Sequence, residues 1–317
     1  MLLRPLLQFK RVSFGGVLLA FSLFALMLGP VWVFGGAKNI YVDKDNKGSE
    51  DGSKDHPYRS IDKALKKAKK GGNVFVAKGR YKTNITIPKN VRLIGGKSTG
   101  DVVIEGDDND PTVTMQDDTE IKKITIKGGR HGIRVEEAAE AKIIEVVIKD
   151  SQRDGIHIDR GTLLKKDEVY IEKTEIKDNQ KAGIFSERRH LIVIDTEIVR
   201  NQGDGVDVKA GVKTWFKDVR IHDNRGSGMK TVLDASRIAG RDVSIRRNAR
   251  EGIEVNAYGQ AGSVNLREAT LIDNGRYGVA SIVRAPGAEK TLLSLVLTES
   301  RMEGNRFGSL SQPLWVQ

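Results

Sequence analysis

Large aliphatic residues in this chain alternate with polar ones over runs of only three to five residues, and glycine, asparagine and aspartate separate the runs. That is the period of short strands, in which alternate side chains share a face. The runs also return in phase. Glycine followed by an apolar residue recurs at Gly132-Ile133, Gly155-Ile156, Gly183-Ile184, Gly205-Val206, Gly228-Met229, Gly252-Ile253 and Gly278-Val279, and Gly308-Ser309 is a degenerate last copy; the spacings are 23, 28, 22, 23, 24, 26 and 30. Four residues before the glycine stands Asn179, Asn201, Asn224, Asn248 and Asn274, with Asn305 one residue out of step. Seven residues before it stands Ile148, Ile176, Ile198, Ile221, Ile245 and Leu271. Three columns in phase at this period predict a solenoid of stacked coils.

Each column has a physical expectation. The aliphatic residues should stack as an interior ladder. The glycine is expected to supply a backbone angle that side chains disfavour, so that the chain turns a corner. The asparagines suit a tight turn, since they tolerate the left-handed region and bond nearby backbone, and stacked they would form an amide ladder. A leucine-rich repeat shares the asparagine and the period. This chain, however, favours Ile and Val, lacks L-x-x-L-x-L and offers no helix per repeat. A membrane β-barrel needs longer alternating strands than these.

Ahead of the repeats, residues 60–70 read as one short amphipathic helix. Ser60 caps it, Ile61, Ala64, Leu65 and Ala68 share a face, lysines take the other, and Gly71-Gly72 ends it. Such a helix would cover the first coil, whose edge otherwise exposes unpaired backbone.

The repeat I-x-x-N-x-x-x-G-[IV] over roughly residues 110–310 resembles the parallel β-helix repeat of the pectin-lyase-like superfamily. The preceding segment resembles that superfamily's N-terminal part. It runs from Ile40-Tyr41-Val42-Asp43 through Asp51-Gly52-Ser53, His56-Pro57-Tyr58-Arg59-Ser60-Ile61, Asn73-Val74-Phe75-Val76-Ala77, Gly79-Arg80-Tyr81 and Asn84-Ile85-Thr86-Ile87-Pro88 to Val91-Arg92-Leu93-Ile94-Gly95. The resemblance implies an all-β, single-stranded, right-handed parallel β-helix with a short N-terminal capping helix. The expected organisation is 1–37 as a cytoplasmic stub plus hydrophobic signal-anchor or signal peptide, 38–110 as cap and first coils, and 111–317 as β-helix repeats.

Val12 to Ala37 carries no charged residue, which is long enough to span a bilayer. Arg4, Lys10 and Arg11 lie on its N-terminal side, so the rest of the chain is expected to cross. Gly35-Gly36-Ala37 fits a small-x-small cleavage site, whereas the length of the run and the apolar Val31-Trp32-Val33-Phe34 favour an uncleaved anchor. Either reading makes residues 38–317 extracytoplasmic, membrane-anchored or secreted.

The chain has 317 residues and no cysteine, which excludes disulfides, thiolate metal sites and a cysteine nucleophile. The net charge is +11, which favours anionic partners, acidic polysaccharide or anionic lipid ahead of nucleic acid, because no basic run carries interleaved aromatics. His56, His190 and His222 are scattered and read as surface residues, Trp215 as core or corner packing, and Trp315 as a cover for the last coil.

In a solenoid, residues of one column become neighbours. Two columns flank the repeat glycine and should face outward: His131, Asp154, Ala182, Asp204, Ser227, Glu251 and Tyr277, then Arg134, His157, Phe185, Asp207, Lys230, Glu254 and Ala280. Asp159 and Lys209 extend the stripe, and the extra residues at 159–167, 256–262 and 283–291 would wall it into a groove. The composition suits uronate chemistry, in which a base removes the proton beside a carboxylate and positive charge stabilises the enolate. Candidate bases are Lys230, Lys209 and His157. Candidate substrate contacts are Arg134, Asp154, Glu251 and Tyr277. Asp204, Asp207 and Glu254 are the candidate holders of a calcium ion. A solvated face of mixed charge would read the same way.

The family resemblance narrows the chemistry. Polygalacturonases of this fold carry paired aspartates and Gly-His-Gly, where this chain has Arg130-His131-Gly132. Alginate epimerases carry Asp-Pro-His, and the nearest segment here is Asp154-Gly155-Ile156-His157. Pectate lyases with an arginine base show Arg-x-Pro, which is absent. Calcium-dependent lyases with a lysine base are the class that the sequence does not argue against. The expected function is binding, with or without modification, of an anionic polysaccharide of an envelope or matrix. The alternative is a non-enzymatic surface scaffold or adhesion protein.

The uncharged run carries a direct test. The protein should sediment with membranes, and external protease should reach residues beyond 38. A mature N-terminus at Lys38 would mean that the run is a cleaved signal peptide.

Overall fold

The computed structural model describes residues 38–68, 71–162, 167–288 and 293–311. The run Val12 to Ala37 and Trp315 lie outside the described residues. Among the described residues no helix is long and apolar enough to cross a membrane.

The chain winds as a parallel β-solenoid. One face of each coil from Asn73 onward contributes to a ten-stranded sheet of short strands: Ile85–Ile87, Val113–Met115, Ile133–Val135, Ile156–Ile158, Ile184–Ser186, Val206–Val208, Met229–Val232, Ile253–Ala257, Tyr277–Val283 and Gly308–Leu310. The other two faces join in a second sheet of 17 strands. One coil there contributes Val169–Glu172 and Glu175–Lys177, while the coil before it runs unbroken through the same two faces as Ala141–Lys149. Pairing already begins at Asn39–Val42, which lies parallel to Asn73–Val76, so coils stack well before residue 110.

Aliphatic side chains fill the bore. Ile148, Ile176, Ile198, Ile221, Ile245 and Leu271 are all fully buried and pair coil to coil in register. Each contributes roughly 2 kcal/mol of transfer free energy. Trp215 departs from its expected core position. Its strand Lys213–His222 turns Thr214 and Phe216 inward, so the alternation places Trp215 on the outside, 37% exposed.

The asparagine ladder is continuous. The backbone N–H and Nδ2 of Asn179 both donate to Asn201 Oδ1, at 3.2 and 2.9 Å. Asn201 donates in the same way to Asn224, Asn224 to Asn248, and Asn248 to Asn274. From Asn201 on, each Nδ2 also donates to the carbonyl of the aliphatic residue one coil back, as Asn224 does to Ile198 at 3.2 Å. Both side-chain amide hydrogens of Asn201, Asn224, Asn248 and Asn274 therefore have an acceptor. Asn305 proves to be in step, because its Oδ1 accepts from Asn274 N and Nδ2 at 3.0 and 2.9 Å. The strand register pairs Tyr277 with Gly308 and Val279 with Leu310, so Ser309, four residues after Asn305, takes the repeat-glycine position.

Two expectations about these columns are corrected. The left-handed conformation belongs to the residue before each asparagine: Asp178, Arg200, Asp223, Arg247, Asp273 and Gly304 all have φ between 50° and 65°. The repeat glycines from Gly132 to Gly278 do not have positive φ. They are glycine because the next coil is too close. A Cβ on Gly205 would lie 2.4 Å from Ile221 Cγ2 and 2.6 Å from the Gly228 carbonyl oxygen.

The helix forms at Ile61–Lys67, and Ser60 Oγ accepts from Lys63 N–H at 3.3 Å as its cap. Ile61, Ala64 and Leu65 are its buried face, as expected. It packs on Asn39–Val42, Asn73–Val76 and Ile85–Ile87, and it stops at Ala68.

The ladder predicts an order of stabilities. Asn224→Ala leaves two donors of Asn201 without an acceptor deep in the stack, and each unsatisfied buried group costs roughly 1–3 kcal/mol. Asn305→Ala strands the two donors of Asn274, but at the last rung, where Asn305 itself is 9% exposed and water can replace it. Thermal unfolding should show the larger loss for Asn224→Ala. Gly205→Ala should be at least as damaging. At Gly100 a Cβ meets nothing within 4 Å, so Gly100→Ala should be neutral or stabilising by about 0.5 kcal/mol.

Candidate functional site

The two outward columns exist, and they lie on the short-strand sheet. Strand register places Arg134 beside His157, His157 beside Phe185, then Asp207, Lys230, Glu254 and Ala280 in turn. The other column is aligned by backbone bonds from each glycine to its successor's neighbour, such as Gly205 N–H to the Ser227 carbonyl at 2.9 Å. The stripe is not a solvated face. Asp154, Asp207, Glu251 and Glu254 are buried, because neighbouring coils and long basic side chains cover them.

At the N-terminal end of the stripe, Asp154 stands between two imidazoles. Its Oδ2 lies 2.9 Å from His157 Nδ1 and 3.3 Å from His131 Nδ1, and its Oδ1 accepts from Ala182 N–H at 3.2 Å. Burial opposes ionisation of Asp154, yet the two imidazoles together hold its carboxyl down at about 2. His131 is only 6% exposed, and its Nδ1 makes no hydrogen bond of good geometry. Burial lowers its pKa by more than Asp154 raises it. The rings of His131 and His157 are 4.4 Å apart, and Phe185 stacks on His157 at 4.9 Å. Outside them Arg134 clasps Asp159 Oδ2 through Nε and Nη2 at 2.9 and 2.7 Å.

Further along, every carboxylate faces a protein cation or donor. Asp207 holds Lys209 at 2.9 Å, and Lys209 also lies 5.1 Å from the Phe185 ring centre. Asp204 accepts Ser227 N–H at 2.7 Å and lies 3.8 Å from Lys230; burial raises its pKa against those contacts. Glu254, 0% exposed, receives Ser227 Oγ, Asn256 Nδ2 and Arg284 Nη2 at 3.0, 3.1 and 3.3 Å, with Arg250 at 3.3 Å. Burial pushes it up, but Asn256, Ser227, Arg250 and Lys230 outweigh burial and keep it below the usual glutamate value. Glu251 Oε2 is 3.2 Å from the same Ser227 hydroxyl, and Arg276 meets Oε1 at 3.3 Å. Ser227 has one proton for these two carboxylates.

The predicted site residues thus divide. Arg134, His157, Lys209 and Lys230 keep contact with solvent along one line. Asp154 and Glu251, expected to touch substrate, lie beneath the surface. Tyr277 is half-buried and meets Phe307 edge-on at 5.7 Å. Asp204, Asp207 and Glu254, expected to hold calcium, are each committed to protein partners, and their oxygens are not among the atoms that converge closely enough for one ion. The sequence placed His131 beside Asp154 in the outward column without naming it a site residue, and it missed Arg250, Arg276 and Arg284, whose guanidinium groups arrive from the turns beside the stripe. Arg284 belongs to the inserted segment 283–291, so the described part of that segment does cover the stripe.

A second cluster occupies another face. His222, expected at the surface, is buried, with Nε2 at 2.8 Å from Glu197 Oε1 and Nδ1 at 2.6 Å from Asp223 Oδ2. Asp223 also receives a two-pronged Arg247 at 2.9 and 2.8 Å. Arg247 is the main cause that holds its carboxyl at about 2, with His222 adding to it against burial.

That depression has a sign. A carboxyl lowered in the folded chain stabilises it above the unfolded value, near 3.9, and the contribution disappears as pH falls through about 2. The stability difference between the native protein and Asp223→Asn should be full at neutral pH and shrink towards zero below pH 4. Denaturant unfolding at several pH values checks it, and a difference that grows on acidification would contradict it.

Residues 160–307 match a family model described as a right handed beta helix region. No curated protein matches the sequence significantly. Among solved structures the chain is similar to a pectate lyase, at 14% identity and TM-score 0.58 over 85% of this chain and 79% of that one. It is similar to the A-module of a mannuronan C-5 epimerase from Azotobacter vinelandii, at 15% identity and 0.57 over 87% and 99%. It is also similar to a pectin methylesterase from Aspergillus niger, at 13% identity and 0.56 over 87% and 91%. At these identities the likeness is one of fold. The chain has the right-handed parallel β-helix fold.

Proposed function

We propose that the short-strand face binds an anionic polysaccharide outside the cytoplasm. The observation that carries the reading is the line of Arg134, His157, Phe185, Lys209 and Lys230. It crosses five successive rungs; on the fourth, Asp207 holds the register position and Lys209 beside it lies 5.1 Å from the Phe185 ring centre. A straight ladder of this kind suits a linear polymer better than a compact ligand. The cations meet sugar carboxylates, and the Phe185 edge lies against sugar ring carbons. The similar structures named as pectate lyase, mannuronan C-5 epimerase and pectin methylesterase support the substrate class. The extracytoplasmic placement rests on the uncharged run before residue 38.

Proton removal from a bound uronate is the finer reading. Lys209 and Lys230, two of the candidate bases, are engaged by Asp207 at 2.9 Å and Asp204 at 3.8 Å. His157 is the candidate with an imidazole oriented by a carboxylate.

The full chain, kept in mild detergent, should bind polygalacturonate or alginate, and binding should weaken with salt. Arg134→Ala combined with Lys230→Ala should weaken it by about tenfold or more, equal to about 1.4 kcal/mol. Ultraviolet absorbance of unsaturated product, and proton exchange at C5 by NMR, report any modification. Salt-independent retention, or none on either polymer, overturns the binding reading and favours a scaffold role.

A further inference from the structure

We propose that His131, Asp154 and His157 form a binding site for a divalent transition-metal ion of the zinc class. These three side chains place one ligand atom each within 4.8 Å of one another, and among the described residues they are the trio that does so. The two Asp154–imidazole separations are 2.9 and 3.3 Å. Ligands about 2.0–2.1 Å from a tetrahedral ion lie about 3.3 Å apart, so the trio is already nearly spaced for one.

An independent observation points to a missing ligand. His131 Nδ1 is buried, faces Asp154, and has no hydrogen bond. The competing explanation, a hydrogen-bonded trio, does not satisfy this atom, because its 3.3 Å approach to Asp154 Oδ2 lacks hydrogen-bond geometry. The His222 cluster provides the contrast. Both of its ring nitrogens are bonded to carboxylates at 2.6 and 2.8 Å, and it lacks an orphan.

The donor set selects the ion. Two imidazole nitrogens and one carboxylate oxygen suit Zn, Ni, Cu or Fe, whereas calcium asks for six to eight oxygens. Side-chain exposure of 20% at His157 leaves one side open to solvent, as in sites with three protein ligands and a free position. Asp159 Oδ1, 3.5 Å from His157 Nε2 and itself held by Arg134, orients the outer edge of that ring. The site shares a face with the proposed polymer contacts but does not depend on them.

The test uses untagged full chain, stripped with a chelator and free of polysaccharide. Calorimetric titration with Zn²⁺ should show one equivalent, and Ca²⁺ should give no stoichiometric heat. Co²⁺ should give visible bands of four-coordinate intensity. His131→Gln and His157→Gln should each weaken Zn²⁺ by about 100-fold or more, and His222→Gln should leave it unchanged. If His131→Gln does not fold by circular dichroism, the less buried His157→Gln decides. Absence of a stoichiometric site, affinity unchanged in the folded variants, or a preference for Ca²⁺ overturns the proposal. Polysaccharide binding is measured without added metal, so either reading can fail alone.

Discussion

Successive coils come so close at the repeat glycine that no side chain fits between them. A Cβ on Gly155, Gly183, Gly205 or Gly228 would stand 2.6 to 2.8 Å from the carbonyl oxygen of the next glycine. The same added carbon would strike an isoleucine Cγ2 at 2.3 to 2.6 Å and an asparagine Nδ2 at 2.7 to 3.0 Å. The three repeat columns are thus one junction seen three times in sequence. Glycine lets the backbones approach, asparagine bonds two coils at once, and isoleucine fills the bore below. A shift by one residue would break all three together, which is why register stays fixed over this part of the stack.

Fixed register is what brings the chemistry together. His131 and His157 are 26 positions apart in sequence, yet their rings are 4.4 Å apart because their coils are adjacent. The same stacking would place like charges on top of each other, a destabilising arrangement on a strand face. The chain avoids this by alternating sign and by importing guanidinium groups from the turns. Glu251 and Glu254 are tolerable in burial because Arg250, Arg276 and Arg284 converge on them. At the C-terminal end of the stripe three guanidinium groups meet two buried carboxylates, and at the N-terminal end one carboxylate lies between two imidazoles.

Much of this was legible in the sequence, because a repeat exposes its own register. Reading His157, Phe185, Asp207 and Lys230 as neighbours required only the glycine column. The depth of each side chain was not legible. Burial of Glu254 depends on Arg284, which reaches it from an insertion of irregular length, and no period announces that contact. The left-handed corners were missed for a related reason. They fall on Asp178, Arg200, Asp223 and Arg247, whose side chains pair across coils as Asp178 with Arg200 and Asp223 with Arg247. Residue type there reports the pairing and conceals the backbone. Trp215, read as core or corner packing from its strand position, lies outside because strict alternation beside the fully buried Phe216 decides its face.

A face whose cations are already paired can still recognise a polyanion, but net charge cannot be the reason. A sugar carboxylate reaching Lys209 must share it with Asp207, and one reaching Arg134 must compete with Asp159. Each exchange replaces one ion pair by another in partly wet surroundings, so it contributes little, as exposed pairs generally do. Affinity must then come from number and spacing. Contacts repeat at the strand separation of about 4.8 Å, and once one sugar is engaged the next is held close to its own partner, which raises its effective concentration. A surface that bound a polyanion in this way would discriminate by length and linearity. Short fragments of a polymer would bind poorly even where every contact is available, and long ones would bind well through contacts that are individually weak.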